Sequence, residues 1–544
     1  MTDKPTFVIV GASLAGAKAA ETLRDEGFDG RVVLLGEESE RPYERPPLSK
    51  GYLAGNDDKS VIYVHDADWY AAHDVELRLG TRVSGVDRTA HQIELAGGER
   101  LGYTKLLLAT GSSPRRLDVP GADLGGVRYL RRVEDSERLR EAFRAGGPIV
   151  VIGGGWIGLE TAAAARGYGA DVTILEPHPT PLHRVLGPEL GEVFAQLHRD
   201  QGATLRLGTG VAELRGEHGE VSEVVTADGE ALAARTVVVG VGITPNTELA
   251  QAAGLEVDNG IVVDAALRTA DPDIYAAGDV ANSEHPLYGR RIRVEHWANA
   301  LHGGPAAARA MLGQQVSYDR IPYFYTDQYD LGMEYAGYVA PGQETRLVYR
   351  GDVGSREFIA FWLLDGRVVA GMNINVWDVI DHIQALIRSG EPVDIARLRD
   401  PDVPLEELAA RPVLANPARH SAAGTGVGKF LTQGVSFARH LVTDRFHKGD
   451  AVPVSGLAVG EGRLIQVGSD TLAVYRDDQG AVHALSPTCT HLGCQVEWNS
   501  AEKSWDCPCH GSRYGPTGTV IQGPAKKDLK PKPLPAESSV PPTS

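Results

Sequence analysis

Chemistry is concentrated first at the carboxyl end of this 544-residue chain, where all four of its cysteines, Cys489, Cys494, Cys507 and Cys509, fall close together. Clustered in this way they cannot be a disulfide framework spread through the protein; they mark one local site. Cys489-Thr-His491-Leu-Gly-Cys494 and Cys507-Pro-Cys509-His510-Gly-Ser512 read as Cys-x-His, fifteen intervening residues, then Cys-x-x-His. Two loops therefore each offer one thiolate and one imidazole, a donor set that suits a transition metal, and zinc could use two Cys and two His of this kind.

Two glycine patterns upstream carry a different chemistry. Gly153-x-Gly155-x-x-Gly158 is complete and is followed by Glu176 twenty-three residues after its first glycine. In such a turn the first glycine allows a tight bend, the second lets backbone approach a pyrophosphate, and the third lets helix pack on strand, with the helix amino end facing the phosphates. A carboxylate at the position of Glu176 accepts a hydrogen bond from a ribose 2′-hydroxyl and repels a 2′-phosphate, so NAD(H) is expected, with NADH preferred over NADPH. The earlier Gly11-x-Ser13-x-x-Gly16 has serine in the middle position. Ser13 must be accommodated by a small backbone shift or must itself donate a hydroxyl. Glu37, after the next strand, is placed to accept from ribose hydroxyls.

The elements that must position these groups are legible from periodicity. Phe7 to Val10, the first glycine turn, an alanine-rich helical stretch and Arg31 to Leu35 make a βαβ unit; Pro148 to Ile152, the second turn, a helix through Ala165 and Asp171 to Leu175 make another. Apolar runs at Lys105 to Ala109 and Thr236 to Gly240 read as strands, and 271–310 returns to strand, glycine turn and helix. This order fits an interrupted first domain with a second inserted in it. The pattern is β-like and aromatic from Ile321 to about Leu408, with a helix expected from Val376 to Ser389. Residues 411–428 lose hydrophobic period and read as a linker. Phe430, Leu431, Val435, Phe437, Ala438, Leu441 and Val442 then recur at helical spacing, as a packing face against a neighbouring domain or as a membrane-surface helix, which Asp444 and the overall acidity oppose. The expected architecture is a multidomain α/β protein: a discontinuous dinucleotide domain over 1–118 and 246–318, a second over 119–245, an α+β domain over 319–410, a linker with a short helix over 411–447, an all-β domain over 448–530, and a Pro- and Ser-rich disordered tail over 531–544.

Composition excludes several functions. With 54 Lys plus Arg against 72 Asp plus Glu the formal charge is −18, which repels phosphate backbones and anionic lipid. Nucleic acid is not an expected partner. No run approaches the roughly eighteen apolar residues of a membrane span, and the amino terminus lacks a secretory signal, so a cytoplasmic location is expected. No cysteine precedes position 489. Upstream of that position the chain therefore offers no thiol for redox chemistry.

Residues 5–55 with Arg45-Pro-Pro-Leu-Ser-Lys50, Ala109-Thr110-Gly111, and Ile274-Tyr-Ala-Ala-Gly-Asp279 resemble the FAD-dependent ferredoxin reductases of bacterial oxygenase systems and their relative, apoptosis-inducing factor, over about 1–410. The resemblance implies FAD in the first domain. It places the residue matching Lys50 by the flavin, that matching Asp279 on the ribityl chain, and those matching Val83, Arg131 and Trp297 along the cofactor. Glu160 read alone could simply complement a helix dipole from the first turn; the resemblance pairs it with Lys50 at the hydride-transfer site. Gly240-x-Gly242 resembles the second contact loop around the nicotinamide. Pro322-Tyr-Phe-Tyr325 departs from the family's Pro-Trp-x-Trp, with Tyr323 and Tyr325 open to a packing or a site role.

Residues 448–530 resemble the Rieske [2Fe–2S] domain. In that family the residues matching Cys489 and Cys507 bind one iron and those matching His491 and His510 the other, while Cys494 and Cys509 would form a loop-bridging disulfide and Gly523-Pro-Ala525 matches the loop that covers the cluster. Replacing two thiolates by imidazoles makes reduction easier, within about −150 to +300 mV. Ser512 and Tyr514 could donate to cluster or ligand sulfur, which places this centre in the upper half, or could be ordinary hydroxyls. The resulting expectation is an NADH-dependent FAD oxidoreductase that passes electrons singly to its own Rieske cluster and on to an unidentified acceptor protein, an oxygenase or a cytochrome. Homodimerisation is left open. A second reading is a redox-sensing scaffold that turns over slowly. A third, a Rieske oxygenase, needs a mononuclear iron on two His and a carboxylate; His178, His183 and Glu176 offer such a set on paper but lie in the loop expected to face NAD.

Overall fold

The computed structural model describes residues 4–409 and, nearer the carboxyl end, 457, 459–467, 470–477, 479–490, 496–499, 503–507, 512–522 and 527–532. The chain divides into two units, 1–412 and 413–544.

In the first unit Thr6–Val10 pairs in parallel with Arg31–Leu35 on one side and Lys105–Leu108 on the other. The full order of this five-stranded sheet is Ile274–Ala276, Lys105–Leu108, Thr6–Val10, Arg31–Leu35, Val75–Arg78. Its central strands are apolar almost throughout, as a parallel sheet covered on both faces requires. The return of Ile274–Ala276 to a sheet begun at Thr6 is the structural form of an interrupted domain. Behind the sheet the helices Leu14–Asp25 and Trp297–Met311 touch backbone to backbone, because a Cβ on Gly304 would lie 2.1 Å from the Ala15 carbonyl oxygen.

A second parallel sheet runs Thr204–Leu207, Asp171–Glu176, Pro148–Ile152, Thr236–Val239, Val127–Arg128. The short antiparallel pair Ser112–Pro114 with Ile243–Pro245 ties the two sheets' connections together. Between Asp279 and the helix at Trp297 the chain inserts the antiparallel strands Ala281–His285 and Arg290–Arg293, so the strand–turn–helix expected over 271–310 is not continuous.

The third section is a five-stranded antiparallel sheet ordered Tyr323–Gln328, Leu331–Gly337, Arg367–Ile374, Glu357–Leu364, Arg346–Asp352. Its helix spans Ile380–Ser389 and does not begin at Val376. Asn375 and Asp378 both take left-handed backbone, φ 52° and 63°, which a right-handed helix cannot contain.

The second unit, taken by itself, holds a three-stranded sheet, Gly462–Val467, Asp470–Arg476 and Val482–Leu485, and a four-stranded one, Glu497–Asn499, Ser504–Asp506, Arg513–Tyr514 and Val520–Gln522. Fully buried Trp505 and Tyr514 anchor a core that includes Cys489 and Cys507. Pro531 bridges to Leu485, and the Lys532 N–H donates to the Ala484 carbonyl at 2.9 Å. Pairing thus runs two residues into the segment expected to be a disordered tail, a correction that follows from the open edge of Val482–Leu485. The expected linker and the helix over 430–442 lie outside the described residues, as does the tail beyond 532. Among the described residues no helix is long and apolar enough to cross a membrane.

Candidate functional site

A cleft of about 1360 Å³ runs through the first unit, lined from both parallel sheets and from the third section. Its floor at one end is the first glycine turn. Gly11 has φ +119° and a Cβ there would lie 2.1 Å from the Ala109 carbonyl; a Cβ on Gly16 would lie 2.0 Å from the Gly11 carbonyl. Ser13 needs no such freedom. It caps the helix Leu14–Asp25 with extended backbone and its hydroxyl makes no capping bond, so serine is accommodated in place of the middle glycine with its side chain on the cleft wall. Glu37 stands exposed on the rim, 3.5 Å from Arg132. Val83 is buried and also lines the cleft.

Farther in, Asp279 follows the strand Ile274–Ala276 and accepts from Ser112 Oγ at 2.7 Å and Arg131 Nη2 at 3.1 Å. Burial pushes this carboxyl up, but the Arg131 guanidinium and the Ser112 hydroxyl outweigh it and hold Asp279 below the ordinary carboxylate range. Arg45 donates to the Arg131 carbonyl and, at 3.1 Å, to Glu38. The Arg131 Nε is buried without a hydrogen-bond partner. An orphaned guanidinium donor beside an ionised carboxylate, in a cleft also lined by the first glycine turn, fits the phosphates and ribityl hydroxyls of FAD. Thr110 and Gly111 complete this wall; Thr110 Oγ1 donates to the Asn246 carbonyl at 2.7 Å and Asn246 Nδ2 returns a bond to the Thr110 carbonyl at 2.8 Å, locking the link between the domains.

At the centre Lys50 Nζ lies 2.8 Å from Glu160 Oε1, with side-chain exposures of 14% and 3%. Glu160 is not on the first turn of its helix, which starts at Trp156; it sits one turn deeper, where it is buried and cannot serve as a solvated dipole partner. The same carboxylate accepts from Thr326 Oγ1 at 2.6 Å and from Ser49 Oγ. Lys50 Nζ stands 5.3 Å from the centre of the Tyr325 ring, and Trp297 meets Tyr325 edge-on at 6.1 Å. Tyr325 and Phe324 line the cleft, whereas the Tyr323 hydroxyl donates to Glu334 Oε1 at 2.9 Å. Trp297 Nε1 donates to Glu44 Oε2 at 2.9 Å, and burial of Glu44 pushes its carboxyl up to about 7. Glu44, Ser49, Ser112 and Thr326 escaped the sequence reading. Only Ser49 carried a signal, by standing next to Lys50.

The second turn fits a dinucleotide as closely as the first. Gly153 has φ +105° and a Cβ would meet the Gly240 carbonyl at 2.4 Å; on Gly158 it would meet the Gly153 carbonyl at 2.0 Å. Gly155 caps the helix Trp156–Gly167, and Gly242, φ +104°, lies opposite on the cleft wall. Glu176 ends its strand with the carboxylate already fixed, accepting from the Gly154 N–H at 2.7 Å and the His178 N–H at 2.9 Å. His178 stacks on His183, rings 5.5 Å apart. Among the described residues no three His, Cys, Asp or Glu converge as a metal site, so Glu176, His178 and His183 do not form the iron site of an oxygenase.

In the second unit the Cys489 and Cys507 side chains are buried in the β core. The Tyr514 hydroxyl lies 3.0 Å from Cys489 Sγ, and burial together with that contact pushes the phenol up. The Cys507 N–H donates to the Ser512 carbonyl at 2.7 Å. Two buried thiols in a small β core suit an iron–sulfur cluster. His491, His510, the Cys494–Cys509 pair and Gly523-Pro-Ala525 lie outside the described residues.

Comparison with known proteins agrees with this chemistry. Residues 5–304 match the family "Pyridine nucleotide-disulphide oxidoreductase", 323–409 the "Reductase C-terminal" family and 449–533 the "Rieske [2Fe-2S] domain". The chain is 42% identical over 402 residues to the anthranilate 1,2-dioxygenase system ferredoxin–NAD(+) reductase component of Burkholderia cepacia, covering 74% of this chain and 98% of that one. It is 38% identical over 415 residues to putidaredoxin reductase of Pseudomonas putida, covering 75% and 98%. Among solved structures, a ferredoxin reductase of Rhodopseudomonas palustris superposes with a TM-score of 0.72 at 37% identity, covering 74% of this chain and all of the other. The chain belongs to the pyridine nucleotide-disulphide oxidoreductase family. It is a flavoprotein oxidoreductase of the ferredoxin reductase type, using FAD and NAD(P)H, with a Rieske [2Fe–2S] domain following the reductase portion. The scaffold reading is not favoured, since these relatives are named as reductases.

Proposed function

We propose that this protein takes electrons from NADH and delivers them, through the Rieske cluster of the same chain, to an external acceptor protein such as an oxygenase or a cytochrome. The observation that carries the reading is the buried Lys50–Glu160 pair in a cleft flanked by two glycine turns, on a chain with no cysteine before position 489. FAD, when bound, supplies the conversion of a two-electron hydride donor into single electrons. Gly11, Ser13, Gly16 and Glu37 receive its adenosine and pyrophosphate end; Arg45, Val83, Thr110, Gly111, Arg131, Asp279 and Trp297 hold the remainder. Gly153, Gly155, Gly158, Glu176 and Gly242 seat NADH. Lys50 and Glu160 orient the reacting rings and fix charge beside them. Cys489, Cys507, His491 and His510 are the cluster ligands.

The relatives support an external acceptor: one belongs to a dioxygenase system, and a solved relative is a covalent putidaredoxin reductase–putidaredoxin complex with a TM-score of 0.72 and 38% identity. Here a Rieske domain is joined through 411–447 to the reductase portion, which replaces collision by a high effective concentration. NADH as donor points to the cytoplasm. The test is an anaerobic NADH titration followed by visible and EPR spectra. Flavin bleaching accompanied by a rhombic cluster signal supports internal transfer; bleaching with no cluster signal overturns it.

A further inference from the structure

We propose that Thr326 is a positioning residue for the Lys50–Glu160 pair, and that Gln328 and His198 set the direction of its hydroxyl. The inference rests on the reading above that this pair stands at the site of hydride transfer, and names residues to which nothing assigns a role.

One carboxylate gathers donors from three sections of the fold. Lys50 and Ser49 come from the first dinucleotide section, Glu160 from the second, and Thr326 from the antiparallel sheet. Thr326 lies on the strand Tyr323–Gln328, whose alternate residues Phe324, Thr326 and Gln328 face inward and are buried. A buried strand face bearing Thr and Gln is unexpected for packing alone and requires hydrogen-bond partners.

Those partners form a chain with one direction. Burial keeps His198 neutral, its imidazole pushed down to about 4, so its two ring nitrogens play opposite roles. Gln328 Nε2 donates to Thr326 Oγ1 at 3.2 Å, which leaves Gln328 Oε1 to accept from His198 Nε2 at 3.0 Å. His198 Nδ1 is then the acceptor, taking the Tyr329 hydroxyl at 3.1 Å. The Thr326 oxygen is occupied by the amide, so its single proton points to Glu160 Oε1. Every donor in the sequence Tyr329, His198, Gln328, Thr326 points toward the carboxylate. Such an arrangement favours a negative charge at its end, and that charge holds the Lys50 ammonium in place.

Thr326→Val keeps the shape of the side chain and removes the proton. Expected for the FAD-loaded protein is a fall of about tenfold to a hundredfold in the rate of flavin reduction by NADH in stopped flow, the range for loss of one hydrogen bond to a charged group. NADH KM changes less than threefold, and the flavin midpoint potential becomes more negative because less of the Glu160 charge is neutralised. Thr326→Ser restores rate and potential. Gln328→Met, which frees the Thr326 hydroxyl to turn away, lowers the rate less than Thr326→Val. A Thr326→Val protein that folds with wild-type thermal stability and keeps wild-type rate and potential overturns the proposal. So does a Thr326→Ser protein as slow as Thr326→Val, which indicates packing and not the hydroxyl. Failure of the underlying reading shows separately, as wild-type rates in Lys50→Met.

Discussion

Lys50 and Glu160 meet at 2.8 Å in a place that neither could occupy alone, an ammonium and a carboxylate brought from different domains into a largely buried contact. Removing one partner of such a pair leaves the other charge uncompensated. Because Glu160 is the more deeply buried, Lys50→Met should destabilise the first unit by about 3–5 kcal/mol. Glu160→Gln should cost less, since the partly exposed Lys50 can turn its ammonium toward the cleft. Both should slow flavin reduction by NADH. Thermal unfolding and stopped flow on the two variants check the order, and an equal loss of stability in both would contradict it.

Glu176 fixes the shape of the turn, and the proposed reading makes coenzyme choice depend on it as well. Its carboxylate holds the Gly154 and His178 N–H groups and remains free to take a ribose hydroxyl on its other lone pairs. Glu176→Ala should lower the ratio of kcat/KM for NADH to that for NADPH by about tenfold or more. Steady-state kinetics with both coenzymes measure this; an unchanged ratio would place coenzyme discrimination elsewhere.

Glu44 carries a pH signature. Its carboxyl keeps a proton up to about pH 7 in the folded protein, whereas an ordinary glutamate loses it near 4.5. A raised carboxyl favours folding fully below pH 4.5, and the advantage is lost as pH rises to 7, by on the order of 3 kcal/mol. His198 and His296, both pushed down to about 4 by burial, act in the opposite sense: they cost stability as pH falls from 6.5 toward 4. The two effects overlap, so the informative quantity is the difference between wild type and Glu44→Gln. That difference should be near zero or slightly against the variant at pH 5, and should favour it by several degrees in Tm at pH 8. A difference independent of pH would show that Glu44 is ionised throughout.

How far the residues announced these relationships depends on whether the signal was local. The glycine turns were legible because a positive φ at Gly11 and Gly153 and a carbonyl within 2.4 Å of the missing Cβ constrain sequence directly. The cysteine cluster stood out because all four cysteines fall close together in the sequence. Glu44 and Thr326 were silent. Each is an unremarkable residue in its own segment, and becomes chemically distinct only when a tryptophan or a glutamate from far along the chain is packed against it. The helix start placed at Val376 failed for a related reason: the apolar period continues through 376–379, but the left-handed Asn375 and Asp378 interrupt the backbone.

Tyr514 should tune the cluster. Thr490 Oγ1 gives its proton to the Lys527 carbonyl, and the Thr490 N–H donates to the Tyr514 oxygen at 3.0 Å. The phenol therefore has one proton to place between Thr490 Oγ1 at 3.1 Å and Cys489 Sγ at 3.0 Å. With Cys489 in its proposed role as an iron-ligating thiolate, the sulfur would be the more negative acceptor and would take it. A hydrogen bond to ligand sulfur stabilises the cluster with one more electron, because reduction adds negative charge there. Tyr514→Phe preserves the buried ring and deletes the donor, so the midpoint potential should become more negative while the rhombic EPR spectrum of the reduced cluster persists. The wild-type potential is expected in the upper half of the range of about −150 to +300 mV. A potential that stays fixed on substitution, with the spectrum intact, would mean that the phenol gives its proton to Thr490 and leaves the sulfur alone.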